Sequence, residues 1–281
     1  MINKSETKIR VLPTRQGVAW LLQSIALLRA QPSRLLFIAV LLQFIMGLTQ
    51  LPLIGFLLII SVPALSAGLL QAFLVTAEGG RPSPLLLFLP LMSGARTVRM
   101  LAMGALMFIV GILTVSLVLS GNEAMLDPEL LSRIEQGDVE ALSSLDPAIL
   151  QSMVFAFLIG ISVSGTLSYM TIPLMWFHDH KLGSALALGL RALFVNWKPF
   201  LLLGLGLAGV MFPVVMAAGF LFIWAGSAGA LSFVMLGLVM ILLLAFQLIL
   251  FGTQYCAFRD IFGMEPRQTG SDQPDDSQLV A

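Results

Sequence analysis

Charge is missing from long stretches of this 281-residue chain. Pro199 to Phe258 is a run of 60 residues without Asp, Glu, Lys, Arg or His, and residues 35–77 form a second such run of 43. Ionisable groups inside a membrane mark ion paths, proton relays or catalysis, so their lack argues against proton-coupled transport and polar chemistry within the spans. Cysteine is also scarce. The single Cys256 excludes an internal disulfide and a cysteine-based zinc cluster, and reads as a packing residue of the last helix. Histidine occurs only as His178 and His180. There is no His-Glu-x-x-His pair and no P-loop, and two nearby histidines leave few geometries for a Ser-His-Asp triad. These absences predict a non-enzymatic protein with no catalytic residue, no cofactor and no metal.

What is present is apolar. Hydrophobic residues make up 58% of the chain and charged residues 11%, beyond what a soluble core of this size needs. A hydrocarbon layer about 30 Å thick takes roughly 20 helical residues. On that measure the sequence predicts an all-α polytopic membrane protein, with six transmembrane helices near 35–51, 54–77, 100–120, 148–177, 199–224 and 231–258. They read as three hairpins within a domain of residues 14–263. Residues 1–13 precede it as a short N-terminal segment, and residues 264–281 read as a disordered tail rich in Gln, Ser and Asp. Pro52 opens the second span after a tight turn, and the small residues Ala225 to Gly229 turn the fifth into the sixth. The first 30 residues do not read as a cleaved signal peptide.

The basic residues set the orientation. Of 15 Lys and Arg, 14 fall in the segments before the odd-numbered spans or in the tail, and only Arg133 lies in the connection 121–147. Translocated short loops are poor in such residues, so both termini are expected in the cytoplasm of a bacterial inner membrane, with the acidic 121–147 loop outside. In that loop Asp127-Pro128 and Asp146-Pro147 carry helix-start chemistry, and Gly137 a helix stop. Its carboxylates lack the alternating spacing of a calcium loop. Acidic and basic residues balance at 15 each, so net charge predicts no nucleic-acid binding.

Amphipathic segments precede the odd spans. Thr14–Ala30 repeats Val18, Leu21, Leu22, Ile25 and Leu28 at helical spacing, and Leu182–Trp197 does the same with Leu182, Leu186, Leu190, Leu193 and Trp197. A shorter middle copy, Pro84–Arg99, is interrupted by Pro90, and the sequence leaves open whether 84–95 lies on the membrane or re-enters it. All three are expected to lie on the cytoplasmic face, giving three repeats of surface helix plus hairpin, with Pro63 and Pro173 as a weak echo. Trp20, Asn196, Trp197 and Lys198 read as interfacial anchors, with Asn196 capping the helix that Pro199 begins.

Polar residues inside the spans are few. Gln43, Gln71, Gln247 and Gln254 need partners in hydrocarbon, and so join helices or line a wet path. Small residues at 160–164 and 204–209 suit close helix approach, and the 15 methionines suit adaptable packing. His178-Asp179-His180-Lys181 has metal-ligand residue types, but on a helix two positions apart point about 200° apart, and no third His or Cys completes a site.

Two stretches resemble an uncharacterised family of bacterial integral inner-membrane proteins, found mainly in proteobacteria. One is Pro13-Thr14-Arg15-Gln16-Gly17-Val18-Ala19-Trp20, running on to Gln31-Pro32. The other is Ile172-Pro173-Leu174 through Ala185-Leu186, Arg191-Ala192 and Asn196-Trp197-Lys198-Pro199-Phe200. The resemblance spans about residues 10 to 263 and departs from the family pattern at Ala26 and Leu27, where aromatic residues are usual. It implies a membrane fold and no chemistry, because the family has no established activity. Two functions stay open: a protein that organises lipid or partner proteins, and a transporter or flippase for an apolar or lipid-like substrate. The expected partners are membrane lipids, together with a membrane-protein partner or a second copy of the chain.

Overall fold

The computed structural model describes residues 8–120, 132, 147–227 and 231–264. Among them the chain forms α1 (Gln16–Ala30), α2 (Pro32–Gly47), α3 (Pro52–Ala77), α4 (Ala95–Ser120), α5 (Pro147–Phe177), α6 (Leu182–Val195), α7 (Trp197–Ser227) and α8 (Ser232–Phe262). No described residue lies in a strand. Six of the helices are long and apolar enough to cross a membrane, over Pro32–Gln50, Ile54–Ala77, Ala95–Thr114, Val154–Phe177, Trp197–Trp224 and Ser232–Phe262. The all-α polytopic architecture is therefore as the hydropathy implies, and the helix boundaries follow from local chemistry. Pro32 and Pro52 stand at helix starts, where the missing amide costs nothing. Pro147 likewise opens α5. Gly263 ends α8 at φ 75°, a conformation open to glycine. The acidic loop expected at 121–147, the turn residues Ala228 and Gly229 and the tail beyond Met264 lie outside the described residues, apart from Ser132 and Pro147.

The buried core gathers at one end of the bundle. It runs from Trp20 and Leu35 through Leu69, Phe73, Met100 and Met103 to Leu174, Leu248 and Phe258. That is the end holding the start of α1, the end of α8 and the turns at 80–94 and 178–181, and therefore the basic residues of all these segments. The spans differ in how deeply they are enclosed: 56% of the α3 stretch is buried against 6% of the α7 stretch, which makes α3 central and α7 peripheral. α4 packs between α3 and α5, and α7 runs beside α8. Close crossings set these pairings. At Gly104 a Cβ would strike the backbone carbonyl of Ile60, so only glycine allows α3 and α4 to meet there.

Three expectations fail. The middle amphipathic copy is no surface helix: it forms two short 3-10 turns, Pro84–Leu87 and Leu89–Met92, each started by a proline. Leu87 and Pro90 are buried, and the turn fits against Gly68 of α3. The threefold repeat is thus absent at its second copy. The second failure concerns α1, which buries Gly17, Trp20, Leu21 and Ser24 rather than the Val18/Leu22/Ile25 stripe. It is wedged against α8 and the start of α7. A Cβ on Gly17 would hit the Pro199 carbonyl, and one on Gly252 would hit the Ser24 hydroxyl. Small residues on both sides therefore decide which face turns inward. Third, α6 buries Ala185, Gly189 and Ala192, while its leucines sit half-buried at the flanks.

Candidate functional site at the basic end of the bundle

The polar groups of the structure converge where α1 meets the end of α8. Gln16, Trp20 and Gln23 recur at helical spacing along one face of α1. Gln16 Nε2 and the Trp20 indole N–H donate to Asp260 Oδ2 at 2.7 and 3.0 Å. Arg259 donates through Nε to Asp260 Oδ1 at 3.0 Å and through its terminal nitrogen to Gln23 Oε1 at 2.9 Å. A carboxylate removed from water is held only when hydrogen-bonded and charge-paired, and Asp260 has both. Ser24 adds a bond to the Ile249 carbonyl at 2.8 Å. Trp20 is therefore no interfacial anchor. Its ring is wholly buried, 5.2 Å from the centre of Phe200, with its polar edge on Asp260.

Asn196 also departs from its expected role. It stands alone between α6 and α7, 1% exposed, and its side chain reaches back to the N-terminal arm rather than capping a helix. Its Oδ1 accepts from the Leu12 amide at 2.9 Å, and its Nδ2 donates to the Arg10 carbonyl at 3.1 Å and the Ala192 carbonyl at 3.2 Å. The Arg10 amide in turn donates to the Ile261 carbonyl at 2.9 Å. One side chain thus ties the arm to the elbow. Trp197 and Lys198 are exposed, with the Lys198 ammonium 5.8 Å from the Trp197 ring, a placement suited to headgroup level.

The His178-Asp179-His180 segment lies beyond the helix, not on it, so the argument from helical spacing does not apply. α5 ends at Phe177 and Asp179 takes φ 56°, the left-handed region that Asp tolerates. His178 stacks near Phe258 and approaches the Gly263 carbonyl at 3.2 Å, and the two imidazole centres stand 6.4 Å apart. Asp179 is instead the acceptor for two arginines of α4: Arg99 binds its carboxylate, and Arg96 Nε donates at 3.0 Å. The Arg99 hydrogen bond, reinforced by Arg96, holds this carboxyl below its ordinary range. Arg96 also lies over the Trp176 ring at 5.6 Å. No group of three metal-ligating side chains occurs among the described residues.

The four glutamines do not meet. Gln71 on α3 accepts from the Trp176 indole at 2.9 Å, and Gln254 on α8 donates to the Tyr169 carbonyl at 2.7 Å, so both join their helices to α5. Gln43 is exposed on α2 and Gln247 half-buried on α8. None of them lines the apolar cleft of about 440 Å³ between α3, α4 and α5. Sequence reading passed over Asp260, Arg259, Gln16 and Gln23. Signals for them existed: an Arg-Asp pair abuts the 60-residue charge-free run, and the glutamines share the Trp20 face.

No family model matches this chain, and no curated protein or solved structure does. Function is therefore argued from these contacts alone. Outside the network, α1 presents an exposed stripe of Arg15, Val18, Leu22, Ala26 and Arg29, apolar in the middle and cationic at both ends. The end of α6 continues this character with Arg191 and Phe194, the latter 75% exposed.

Proposed function

We propose that the chain is a non-enzymatic bacterial inner-membrane protein that organises lipid or partner proteins through its basic rim, with both termini cytoplasmic. The observation that supports this most is the Arg15–Val18–Leu22–Ala26–Arg29 stripe, borne on a helix whose opposite face is fixed to the bundle. A helix clamped on one side offers its other side as a preformed surface: apolar residues suit the acyl boundary, and terminal arginines suit phosphates. The 14-to-1 distribution of basic residues supports the orientation, and the Pro13–Trp20 and Asn196–Phe200 motifs support kinship with the uncharacterised inner-membrane family.

The test leaves the buried face intact. A variant carrying Arg15→Gln, Val18→Ser, Leu22→Ser and Arg29→Gln is purified in mild detergent beside the wild type, and bound lipids and proteins are identified by mass spectrometry. Loss of anionic lipid or of a specific protein at unchanged thermal stability is the expected result; an identical profile refutes the rim role. A reporter fused at residue 130 reports the orientation, and cytoplasmic activity there refutes it.

A transporter or flippase for an apolar or lipid-like substrate is the second reading, favoured by the cleft between α3, α4 and α5. Against it stand Gln71 and Gln254, whose hydrogen bonds are committed to α5.

A further inference from the structure

α3 and α4 touch at Gly104 and then part. Gly104 meets the Ile60 carbonyl, yet seven residues on, two turns along the same face, a Cβ on Gly111 would meet nothing within 4 Å. α5 stays near α4 meanwhile, since Gly160 approaches the Thr114 side chain at 3.7 Å. The result is a wedge with α4 at its base. Its volume is about 440 Å³, within the range of roughly 300–1,000 Å³ that holds small molecules. Ile59 and Val62 form one wall, and Met107, Phe108 and Ile112 another. Phe108 is held by an edge-on contact with Phe56, ring centres 5.3 Å apart.

We infer that this wedge is a binding site for one acyl chain of a bilayer phospholipid. Three features select that occupant. The wedge lies between three helices of membrane-crossing length, and the hydroxyls of Ser116 and Ser164 are the only polar side chains lining it. Water-soluble ligands have no charged partner there. Its length also fits: Gly104 to Ser116 covers about 18 Å along α4 at 1.5 Å per residue, close to the roughly 15 Å of hydrocarbon in one leaflet. Finally, it opens sideways, with Ile59 and Ile112 exposed at its mouth. An empty gap of this size leaves its walls without dispersion partners, and a flexible chain entering from the leaflet restores them. The orientation set by the basic rim puts this chain in the outer leaflet, so the inference deepens the lipid side of the proposed function.

The experiment uses the full chain in phosphatidylcholine vesicles doped with a phosphatidylcholine that carries a diazirine in its acyl chain. After illumination, adducts are mapped by mass spectrometry. Adducts concentrated on Ile59, Met107, Phe108 and Ile112, above the density on the lipid-facing residues of α7, are expected. Gly111→Leu fills the wedge without touching backbone and should abolish that excess; Gly209→Leu, an open position on α7, should leave it unchanged. Ser164→Leu fills the wedge from α5 and serves if Gly111→Leu does not fold. Uniform labelling, an excess that survives both filling variants, or an excess obtained only with a diazirine-bearing free fatty acid overturns the inference. The rim variant is labelled in parallel: it lacks the stripe but keeps the wedge, so failure of the rim role and failure of the wedge are told apart.

Discussion

Replacing Asn196 by alanine removes the one side chain that joins the N-terminal arm to the elbow between α6 and α7. Three hydrogen bonds go with it, two of them to the arm. Each such bond is worth about 1 kcal/mol net, and leaving a buried partner unpaired costs about 1–3 kcal/mol. The Leu12 amide and Arg10 carbonyl lose their partner together, while the Arg10 amide keeps its bond to Ile261. The arm should therefore detach more easily by about 2 kcal/mol, roughly a 30-fold rise in its open population at 1.4 kcal/mol per tenfold. Lys8, Arg10 and Arg15 are exposed and flank the tethered residues, which makes trypsin the reporter. When opening is fast relative to cleavage, the cleavage rate follows the open population. Trp197→Ala, next door but solvent-facing, is the control, expected within about 0.5 kcal/mol of wild type. Equal cleavage rates for Asn196→Ala and wild type, at equal folded fraction, would refute the account of the clamp.

Two further outcomes are expected. Trp176→Phe should destabilise the folded protein in detergent by about 1 kcal/mol, the typical scale of an interhelical side-chain bond in a membrane protein; Gln71→Leu should add little to it in the double variant, and additive losses would mean the two residues are not partners. Asp179 has a depressed carboxyl, so its pairing with Arg99 and Arg96 stabilises the protein fully above the ordinary carboxyl value and fades as pH falls below about 4. With a side chain 58% exposed, the contribution is at most about 1 kcal/mol. The melting-temperature gap between wild type and Asp179→Asn should close on acidification through that window; a gap that widens contradicts the pairing.

The six spans were legible because burial in hydrocarbon imposes one requirement, length of apolar helix, that local sequence states directly. The inward face of α1 was not, because hydrophobicity alone ranks Val18 and Leu22 above Gly17 and Ser24. Contact distance decided otherwise: a Cβ at Gly17 has no room beside Pro199, and that is a property of the partner helix. Trp20 looked like an anchor for a similar reason. Its partner Asp260 lies 240 residues away, beyond the reach of any periodicity. Asn196 stood at a position whose local chemistry fits a cap, and its bonds to residues 184 and 186 positions earlier left no mark nearby. Pro84 and Pro90 did announce that the middle copy differs, and the two 3-10 turns they start are the form that interruption takes.

The clasp between α1 and the end of α8 also sets an order of events during synthesis. Gln16, Trp20 and Gln23 find Asp260 and Arg259 only 236 to 244 residues later. At about 5–20 residues per second, roughly 12–50 seconds pass between the emergence of the first partner and the last. Through that interval α1 holds Trp20 and two glutamines with no counterpart, so the earliest helix made is among the last to be seated. A ribosome stalled anywhere before residue 259 leaves every preceding span inserted and the beginning of the chain still unlatched, an opening through which a quality-control protease can tell an unfinished molecule from a complete one.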